Sequence, residues 1–239
     1  MKAILLTVLV ALGLVPSAAP AEAPQLRVLA AASLTEVFPR IDGRPAYSFG
    51  GSNQLAFQLR QGAPADLFAS ASPEYTQSLF RDGLVERPVT FASNRLVLVV
   101  PKQNPAGIGS VFDLRRKDVK LVIGGPRVPI GTYTREVLRR LGLSSVLSKV
   151  VSQEPDVKGI VGKVGLGQAD AGFVYSTDYR TATDRLFPIA IPAWAQPTVR
   201  YEIAVVSRST HKAAARAWIA RLRGARAKRL LGTAGFGLR

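Results

Sequence analysis

Residues 26–38 (LRVLAAASLTEVF) join a short apolar run to an amphipathic one, and residues 46–61 (AYSFGGSNQLAFQLRQ) repeat that order. Short apolar runs of this kind are typical of buried strands, and the amphipathic stretches that follow are typical of helices. Each junction carries a serine, Ser33 in the first stretch and Ser52 in the second. A serine there can offer its hydroxyl and nearby backbone N–H groups to a small anion. The simpler alternative is that both serines only cap helices.

The same alternation continues along the chain and predicts an α/β fold. Alternating strands and helices indicate mostly parallel sheets that are covered on both faces, and ligands bind such sheets at the carboxyl ends of strands. Strands are expected at RVLAA, PAYSF, DLFAS, RLVLVVP, KLVIGG, DAGFVY, LFPIAI and YEIAVVS. Helices are expected at residues 34–41, 53–61, 73–82, 111–116, 132–141, 156–167 and 210–231.

Two long apolar runs, NRLVLVVPK and TVRYEIAVVS, have no helical stretch beside them. We predict that they cross between two lobes, so that the molecule is bilobed, with a mixed, mostly parallel sheet in each half. Lobe I is expected to comprise residues 22–100 and 201–239, and lobe II residues 101–200. The ligand would occupy the cleft between the lobes, and hinge bending would close it.

The amino terminus has the pattern of a secretory signal peptide. A positive start at Lys2 precedes the apolar run AILLTVLVALGLV and then small residues with A-x-A spacing. This run is shorter than the ~20 residues of a membrane span. We predict a signal peptide over residues 1–21, with cleavage after Ala21 and Ala23 as the alternative. Because no cysteine follows, we expect a periplasmic protein without a lipid anchor.

The composition includes few side chains that could carry out covalent catalysis. The chain has no cysteine and one histidine, His211, which lies in a polar stretch without obvious partners. Disulfides, thiol catalysis and thiolate metal sites are therefore excluded. A hydrolase using Ser52 would need a G-x-S-x-G motif and a histidine base, and the sequence offers neither at that position. We expect no enzymatic activity, no metal site and no cofactor.

The formal net charge of +16 would by itself suggest nucleic-acid binding. The basic residues concentrate at 115–117, at 139–140 and between 216 and 229, without interleaved aromatic residues for base stacking. Export would also separate the chain from nucleic acid. We therefore expect a solvated basic surface that attracts anions and no nucleic-acid partner. A basic nucleic-acid or envelope-binding protein is the weaker alternative.

Several segments together resemble the periplasmic molybdate-binding proteins of ABC transporters. The resemblance extends from about Leu26 to Phe236, and its most specific segment is QGAPADLFASA at residues 61–71. The other segments are VLAAASLTEVF, YSFGGSNQLAFQLRQ, NRLVLVVPK, VPIGTYTREVL, DVKGIVGKV and GQADAGFVYSTD. The resemblance implies capture of molybdate, and also of tungstate, for a membrane permease. We expect the protein to act as a monomer.

The resemblance also implies a set of ligand-binding residues. AAAS and FGGS supply the hydroxyls of Ser33 and Ser52, and GFVY supplies the phenol of Tyr175. The turn VPIG supplies the backbone N–H of Ile130, and DVKG supplies that of Val157. All of these groups can donate a hydrogen bond, which suits a dianion that only accepts.

The choice of anion stays open at this stage. Phosphate carries its own proton and would need an acceptor, so the resemblance implies that it is rejected. Sulfate needs the same donors as molybdate, and sulfate or thiosulfate binding on this scaffold is the main alternative. Two departures from the family pattern bear on this choice. Ile130 stands where a smaller residue is common, and the turn before it usually carries an acidic residue, whereas here it has Gly125 and Arg127 and is one residue shorter.

Overall fold

The structure is a computed structural model, and it describes residues 24–116 and 118–238. The predicted signal peptide lies outside the described residues. The described strands are β1 (Arg27–Ala31), β2 (Ala46–Gly50), β3 (Leu67–Ser70), β4 (Val89–Asn94), β5 (Leu96–Pro101), β6 (Leu121–Gly124), β7 (Val150–Glu154), β8 (Ala171–Tyr175), β9 (Leu186–Ile189) and β10 (Val199–Val205). The described α-helices are α1 (Phe38–Ile41), α2 (Ser52–Arg60), α3 (Pro73–Arg81), α4 (Pro129–Arg140), α5 (Val157–Gly165), α6 (Ser176–Arg180), α7 (Lys212–Leu222) and α8 (Ala225–Ala234). Short 3-10 helices lie at Ala32–Leu34, Val111–Arg115, Ser144–Lys149 and Ala193–Ala195.

These strands form two five-stranded sheets flanked by helices. The strand order is β2-β1-β3-β10-β4 in one sheet and β7-β6-β8-β5-β9 in the other. The first three strands of each order run parallel, and the remaining pairs are antiparallel. The predicted bilobed α/β fold with mixed sheets is confirmed. Each half therefore has a sheet edge where the carboxyl ends of parallel strands meet, and ligands bind at such edges.

The chain passes between the sheets at two places. Strand β4 ends at Asn94 and pairs with β10, whereas β5 begins at Leu96 and pairs with β8 and β9. We therefore use lobe I for residues 24–94 and 199–238, and lobe II for residues 96–198. The boundary drawn from the sequence at 100/101 falls inside β5. The apolar run at residues 96–100 does not reveal which strands it pairs with, so the sequence does not show that the pairing partner changes at Arg95.

Helix α4 illustrates how the helices are held against the sheets. It begins at Pro129, three residues before the predicted start, because proline at the first turn has its φ angle preset and loses no hydrogen bond. Its inner face buries Tyr133, Val137 and Leu138 at helical spacing. Burial of each large apolar side chain stabilises the fold by about 1.5–3 kcal/mol. This packing fixes the amino end of α4 beside the end of β6.

Other elements differ from the sequence-based prediction. The helix predicted over 210–231 is two helices, α7 and α8, because Gly224 separates them as the residue before α8. Glycine is a weak helix former, and it favours a break at this point. The predicted first helix is a 3-10 turn followed by the four-residue α1. Strands β4 and β7 and helix α6 were not predicted, since their short, mixed patterns give no clear period.

Candidate anion-binding site

A small cavity lies between the two lobes. It has a volume of about 20 Å³, which exceeds the ~10–15 Å³ that one water requires but leaves no room for a sugar-sized ligand. Its lining includes every residue that the sequence predicted for the site: Ser33, Ser52, Ile130, Val157 and Tyr175. All of these residues are buried. The fold thus brings together residues that are far apart in sequence, and it draws them from both lobes.

Three helices begin at this cavity. Ser52 is the first residue of α2, Val157 is the first residue of α5, and Ile130 is the second residue of α4. The first N–H groups of an α-helix have no partner within the helix, and each helix start carries roughly half a positive charge. The backbone therefore gives the cavity a positive potential and free donors. An anion here needs no lysine or arginine in direct contact.

Ser33 lies in the 3-10 turn after β1, and its hydroxyl does not cap a helix. Instead, Ser33 Oγ is 2.8 Å from the phenolic Oη of Tyr201 on β10. The alternative in which Ser33 is only a helix cap is therefore wrong. Its side chain connects the cavity to the strand that returns the chain to lobe I.

Ser52 also fails to cap its helix, because Gly51 occupies the cap position and no side-chain cap bond is present. Ser52 Oγ accepts a hydrogen bond of 3.1 Å from the backbone N–H of Ala71. A hydroxyl that accepts from a backbone N–H keeps its own proton for another acceptor. Ser52 lies on the cavity wall, so this proton can be donated to a group in the cavity.

Ile130 and Val157 line the cavity from lobe II at the starts of α4 and α5. The side chain of Ile130 packs over β6: a Cβ added to Gly124 would come within 2.8 Å of Ile130 Cγ2. The extra bulk of isoleucine at this position is thus accommodated by glycine on the neighbouring strand. The backbone N–H of Ile130 is free of that packing.

Tyr175, the last residue of β8, carries an unusual phenol. It is almost fully buried, and its Oη has no hydrogen-bond partner among the described residues. Burial raises the pKa of this phenol well above its ordinary value, so the group stays protonated. An unpaired buried polar group costs about 1–3 kcal/mol. A hydroxyl that lines this cavity would regain that free energy by donating to a ligand.

Asp156 also lines the cavity, directly before α5. Its Oδ1 caps that helix by accepting from the N–H groups of Lys158 and Gly159, at 2.8 and 3.2 Å. The cap satisfies the second and third N–H groups of α5 and leaves that of Val157, at the first position, for the cavity. Asp156 thereby selects which donor of α5 faces the cavity.

The two lobes touch around the cavity. Tyr133 of α4 donates to the carbonyl oxygen of Ala71 in lobe I at 3.3 Å, and Tyr75 of α3 donates to the carbonyl oxygen of Arg127 in lobe II. Gly51 approaches lobe II so closely that a Cβ on it would lie 2.3 Å from the carbonyl oxygen of Pro155. The two lobes are therefore in direct contact around the cavity.

A charged cluster lies beside the cavity. Lys158 Nζ is 3.2 Å from Asp178 Oδ1 in lobe II and 3.6 Å from Glu36 Oε1 in lobe I. Asp178 is fully buried, and this burial raises the pKa of its carboxyl to about 6, although Lys158 opposes the shift. The cation at Lys158 is thus held by carboxylates from both lobes. Arg127, which precedes α4, contacts lobe I through its backbone.

His211 lies in another part of lobe I, where its Nδ1 is 3.3 Å from Asp66 Oδ1. The hydroxyl of Ser209 donates to the same carboxylate oxygen at 2.6 Å and does not face the imidazole. A serine nucleophile would have to give its proton to histidine, and this geometry does not allow it. Within residues 24–116 and 118–238 there is no metal-binding cluster of His, Cys, Asp or Glu side chains, and no helix is both long and apolar enough to cross a membrane.

Sequence reasoning did not find several residues that shape the site. Tyr201 and Asn94 lie on strands β10 and β4, where nothing in the apolar pattern distinguishes them. Gly51 could have been noticed from the pair of glycines before Ser52, since a glycine often marks a close backbone approach. The interlobe contact of Tyr133 depends on the closed arrangement and leaves no local signal.

Known proteins were compared with this chain. The family model described as "Bacterial extracellular solute-binding protein" matches residues 26–237. The molybdate-binding protein ModA of Mycobacterium tuberculosis (strain H37Rv) is 36% identical over 235 residues, which cover 92% of this chain and 89% of that protein. The match therefore includes nearly the whole of both chains.

Two solved structures share the fold. The periplasmic molybdate-binding protein of Azotobacter vinelandii aligns with a TM-score of 0.79 at 22% identity, covering 90% of this chain and 100% of that one. The sulfate-binding protein SubI of Mycobacterium tuberculosis aligns with a TM-score of 0.75 at 18% identity, covering 89% of this chain and 86% of that one. Together with the two lobes and the cavity between them, the family match shows that this chain belongs to the bacterial extracellular solute-binding proteins.

Proposed function

We propose that this protein captures molybdate, and also tungstate, and delivers it to the membrane permease of an ABC importer. The single observation that carries this proposal is the hydroxyl of Tyr175, which is buried without a partner in a small cavity lined by other donors. A ligand that satisfies these donors must accept hydrogen bonds from both lobes. A tetrahedral oxyanion has this property, and relatives that are 36% and 30% identical to this chain, from Mycobacterium tuberculosis and Haemophilus influenzae, are named for molybdate.

The proposed ligand contacts come from both lobes. Ser33 and Ser52 donate their hydroxyl protons from lobe I, while Tyr175 donates its phenolic proton from lobe II. The backbone N–H groups of Ile130 and Val157 complete the set. Hydrogen bonds to a charged group contribute about 1.5–3 kcal/mol each, so five of them suffice for the ~8 kcal/mol of a micromolar complex.

Binding and closure are linked in this proposal. A ligand that contacts both lobes stabilises the closed arrangement, and the strands that cross near residues 94–96 and 196–199 act as the hinge. The closed form then docks on the permease. We further propose that the protein works as a periplasmic monomer after removal of its signal peptide, without catalysis, cofactor or nucleic-acid partner.

Sulfate is the second candidate, because it presents the same acceptors to the same donors. The fold shared with a sulfate-binding protein keeps this candidate open. Cavity size separates the two anions, since molybdate and tungstate are larger than sulfate. The donor set alone cannot prefer one of them.

Isothermal titration calorimetry of the mature chain with molybdate, tungstate, sulfate and phosphate tests the proposal. We expect molybdate and tungstate to bind in the micromolar range or tighter, and sulfate and phosphate to bind far more weakly. Equal affinity for sulfate would overturn the proposed ligand. A crystal with molybdate in contact with only one lobe would overturn the proposed closure.

A further inference from the structure

Behind the cavity, the hydroxyl of Ser33 continues into a buried chain of polar side chains. Ser33 Oγ lies 2.8 Å from Tyr201 Oη, and Tyr201 Oη lies 3.4 Å from Asn94 Nδ2. All three residues are buried. A hydroxyl can either donate or accept, so the direction of hydrogen bonding along this chain decides what Ser33 presents to the cavity.

Asn94 fixes that direction at the far end. Its Oδ1 accepts from the backbone N–H of Arg95 at 2.9 Å and from the hydroxyl of Ser176 at 3.0 Å. A backbone N–H can only donate, so the oxygen of the amide must face Arg95. The Nδ2 group consequently faces Thr177 Oγ1, at 2.9 Å, and Tyr201 Oη.

The donor and acceptor roles in the rest of this series of side chains follow by elimination. Because Asn94 Nδ2 can only donate, Tyr201 Oη accepts from it. The phenolic proton of Tyr201 is left for Ser33 Oγ, and burial raises the pKa of this phenol, which keeps that proton in place. Ser33 accepts from Tyr201, so its own proton is available to the cavity.

We propose that Asn94 and Tyr201 are positioning residues that force Ser33 to act as a donor toward the bound anion. This inference rests on the proposed function and deepens it, since it identifies a source of selectivity against protonated anions. A hydrogen phosphate ion carries a proton that needs an acceptor. Tyr201 occupies one lone pair of Ser33 and the N–H of Ala71 occupies one lone pair of Ser52, so both serines turn their protons toward the ligand and are poorer acceptors for its proton than free hydroxyls would be.

The two serines differ in how firmly this role is imposed. The N–H of Ala71 is a backbone donor that no side-chain substitution reverses. The Ser33 hydroxyl depends on a side chain, and its direction can be inverted by changing Asn94 to aspartate. A carboxylate at this position accepts, so Tyr201 would donate to it and Ser33 would donate to Tyr201. The lone pairs of Ser33 would then face the anion.

The test compares Tyr201→Phe, Asn94→Asp and the double variant, with molybdate affinity measured by calorimetry. Tyr201→Phe removes one neutral hydrogen bond and should weaken binding by about 2- to 12-fold. Asn94→Asp should weaken it by roughly 10-fold or more, because an attractive donor becomes a repulsive acceptor. In the double variant, Tyr201→Phe removes the hydroxyl that connects residue 94 to Ser33. The further loss of molybdate affinity caused by Asn94→Asp should therefore shrink to about 2-fold or less.

Charge and folding are controlled separately. Ser93→Asp adds the same charge at the neighbouring residue of β4, where the side chain lies beside Gly237 and away from Tyr201. It should leave molybdate affinity within about 2-fold of the parent, since its charge does not act through Tyr201. The melting temperature of each empty variant shows whether it is folded.

A selectivity measurement distinguishes inversion of Ser33 from general damage. A merely structural defect weakens all anions in proportion. Inversion instead lowers the ratio of the hydrogen phosphate Kd to the molybdate Kd, and we expect this ratio to fall at least about 5-fold in Asn94→Asp. An unchanged ratio, or an equal effect of Asn94→Asp with and without Tyr201, would overturn the positioning role and leave the proposed function intact. A parent protein that binds none of the tested oxyanions would overturn both.

Discussion

The two lobes equip the same cavity in different ways. The lobe I hydroxyls already have partners in the protein, since Ser33 bonds to Tyr201 and Ser52 accepts from Ala71. The lobe II hydroxyl of Tyr175 has none, and the other lobe II donors are backbone N–H groups at helix starts. The hydroxyls of lobe I thus have their orientation fixed by protein partners before a ligand binds, whereas the phenol of lobe II has no such partner.

This difference suggests an order of events for the proposed binding cycle. Preset hydroxyls lose little conformational freedom when an anion arrives, which favours first contact at lobe I. The phenol of Tyr175 gains its first partner only when lobe II closes over that anion. In this proposed cycle, closure is favourable because the hydroxyl of Tyr175, which otherwise has no hydrogen-bond partner, donates to the anion.

Removal of both lobe I hydroxyls should have the largest effect. Ser33→Ala together with Ser52→Ala removes two charge-assisted hydrogen bonds, which corresponds to a loss of roughly 10²- to 10⁴-fold in molybdate affinity. The empty protein should melt only about 4–8 °C lower, because each substitution also removes one internal hydrogen bond. Calorimetry and thermal denaturation measure the two quantities.

Ser72→Ala is the matched control for this pair. Ser72 lies in the same lobe, and its hydroxyl caps α3 by accepting from the N–H of Glu74. This substitution should lower stability by about 1 kcal/mol and leave the affinity unchanged. If the double serine variant behaved in the same way, the hydroxyls of Ser33 and Ser52 would be structural.

Removal of the lobe II hydroxyl should have the opposite effect on the empty protein. Tyr175→Phe deletes one donor to the anion, and we expect an affinity loss of about 10- to 150-fold. It also deletes a buried hydroxyl without a partner, so the melting temperature of the empty variant should be equal to that of the parent or higher. A clear destabilisation of the empty protein would show that Tyr175 has a partner that its present surroundings do not reveal.

Gly51→Ala tests whether binding needs the lobes to meet. Residue 51 has an extended backbone that alanine adopts without strain, and within lobe I the new Cβ would displace only the side-chain oxygen of Asn53, which would lie 2.8 Å from it. In the closed form, however, the new Cβ would collide with the carbonyl oxygen of Pro155. Overpacking of this kind costs about 1–3 kcal/mol, which predicts a loss of roughly 5- to 150-fold in affinity.

Gly43→Ala is the control, because its Cβ would meet only the carbonyl oxygen of Pro39 within lobe I, at an ordinary 3.5 Å. Its affinity should equal that of the parent. Small-angle scattering with and without molybdate should show compaction for this control and little for Gly51→Ala. Full compaction of Gly51→Ala would contradict the closed contact as a requirement for binding.

The sequence allowed the fold and much of the candidate site to be predicted because both depend on local patterns. Strand-to-helix junctions such as the one at Ser52 are readable from apolar periodicity, and the positions of Ile130, Val157 and Tyr175 follow from motifs that resemble a family. The side-chain partners are not readable in this way. Tyr201 contacts Ser33 across 168 residues, and no local signal specifies which hydroxyl of a strand will face which neighbour.

The point at which the chain changes sheet was also beyond a local pattern. Ser93 and Asn94 before Arg95 are polar and residues 96–100 after it are apolar, but both segments form strands, and the choice of partner strand separates β4 from β5. Partner choice is a property of the whole packed lobe. Gly224 is a different case, because the break there follows from a local property: a single weak helix former divides a stretch that is otherwise helical in character.

Lobe II also holds a buried carboxylate, that of Asp178, which pairs with Lys158 at 3.2 Å, and its effect should appear in the pH dependence of stability. Burial raises its pKa from 3.8 to about 6 in the folded protein. The folded carboxyl therefore keeps its proton where the unfolded one has lost it. Its contribution to stability is complete below about pH 3.8 and is lost as the pH rises through about 6.

Asp178→Asn carries no charge at any of these pH values and should lack this loss. The melting temperature of the variant relative to the parent should therefore increase by a few degrees between pH 4 and pH 7, with most of the change before the pH reaches about 6.5. Taking the difference between the two proteins cancels the other carboxylates, including Asp42, where hydrogen bonding to Arg44 lowers the pKa to about 2. A difference that stays constant with pH would mean that Lys158 compensates the buried charge in full.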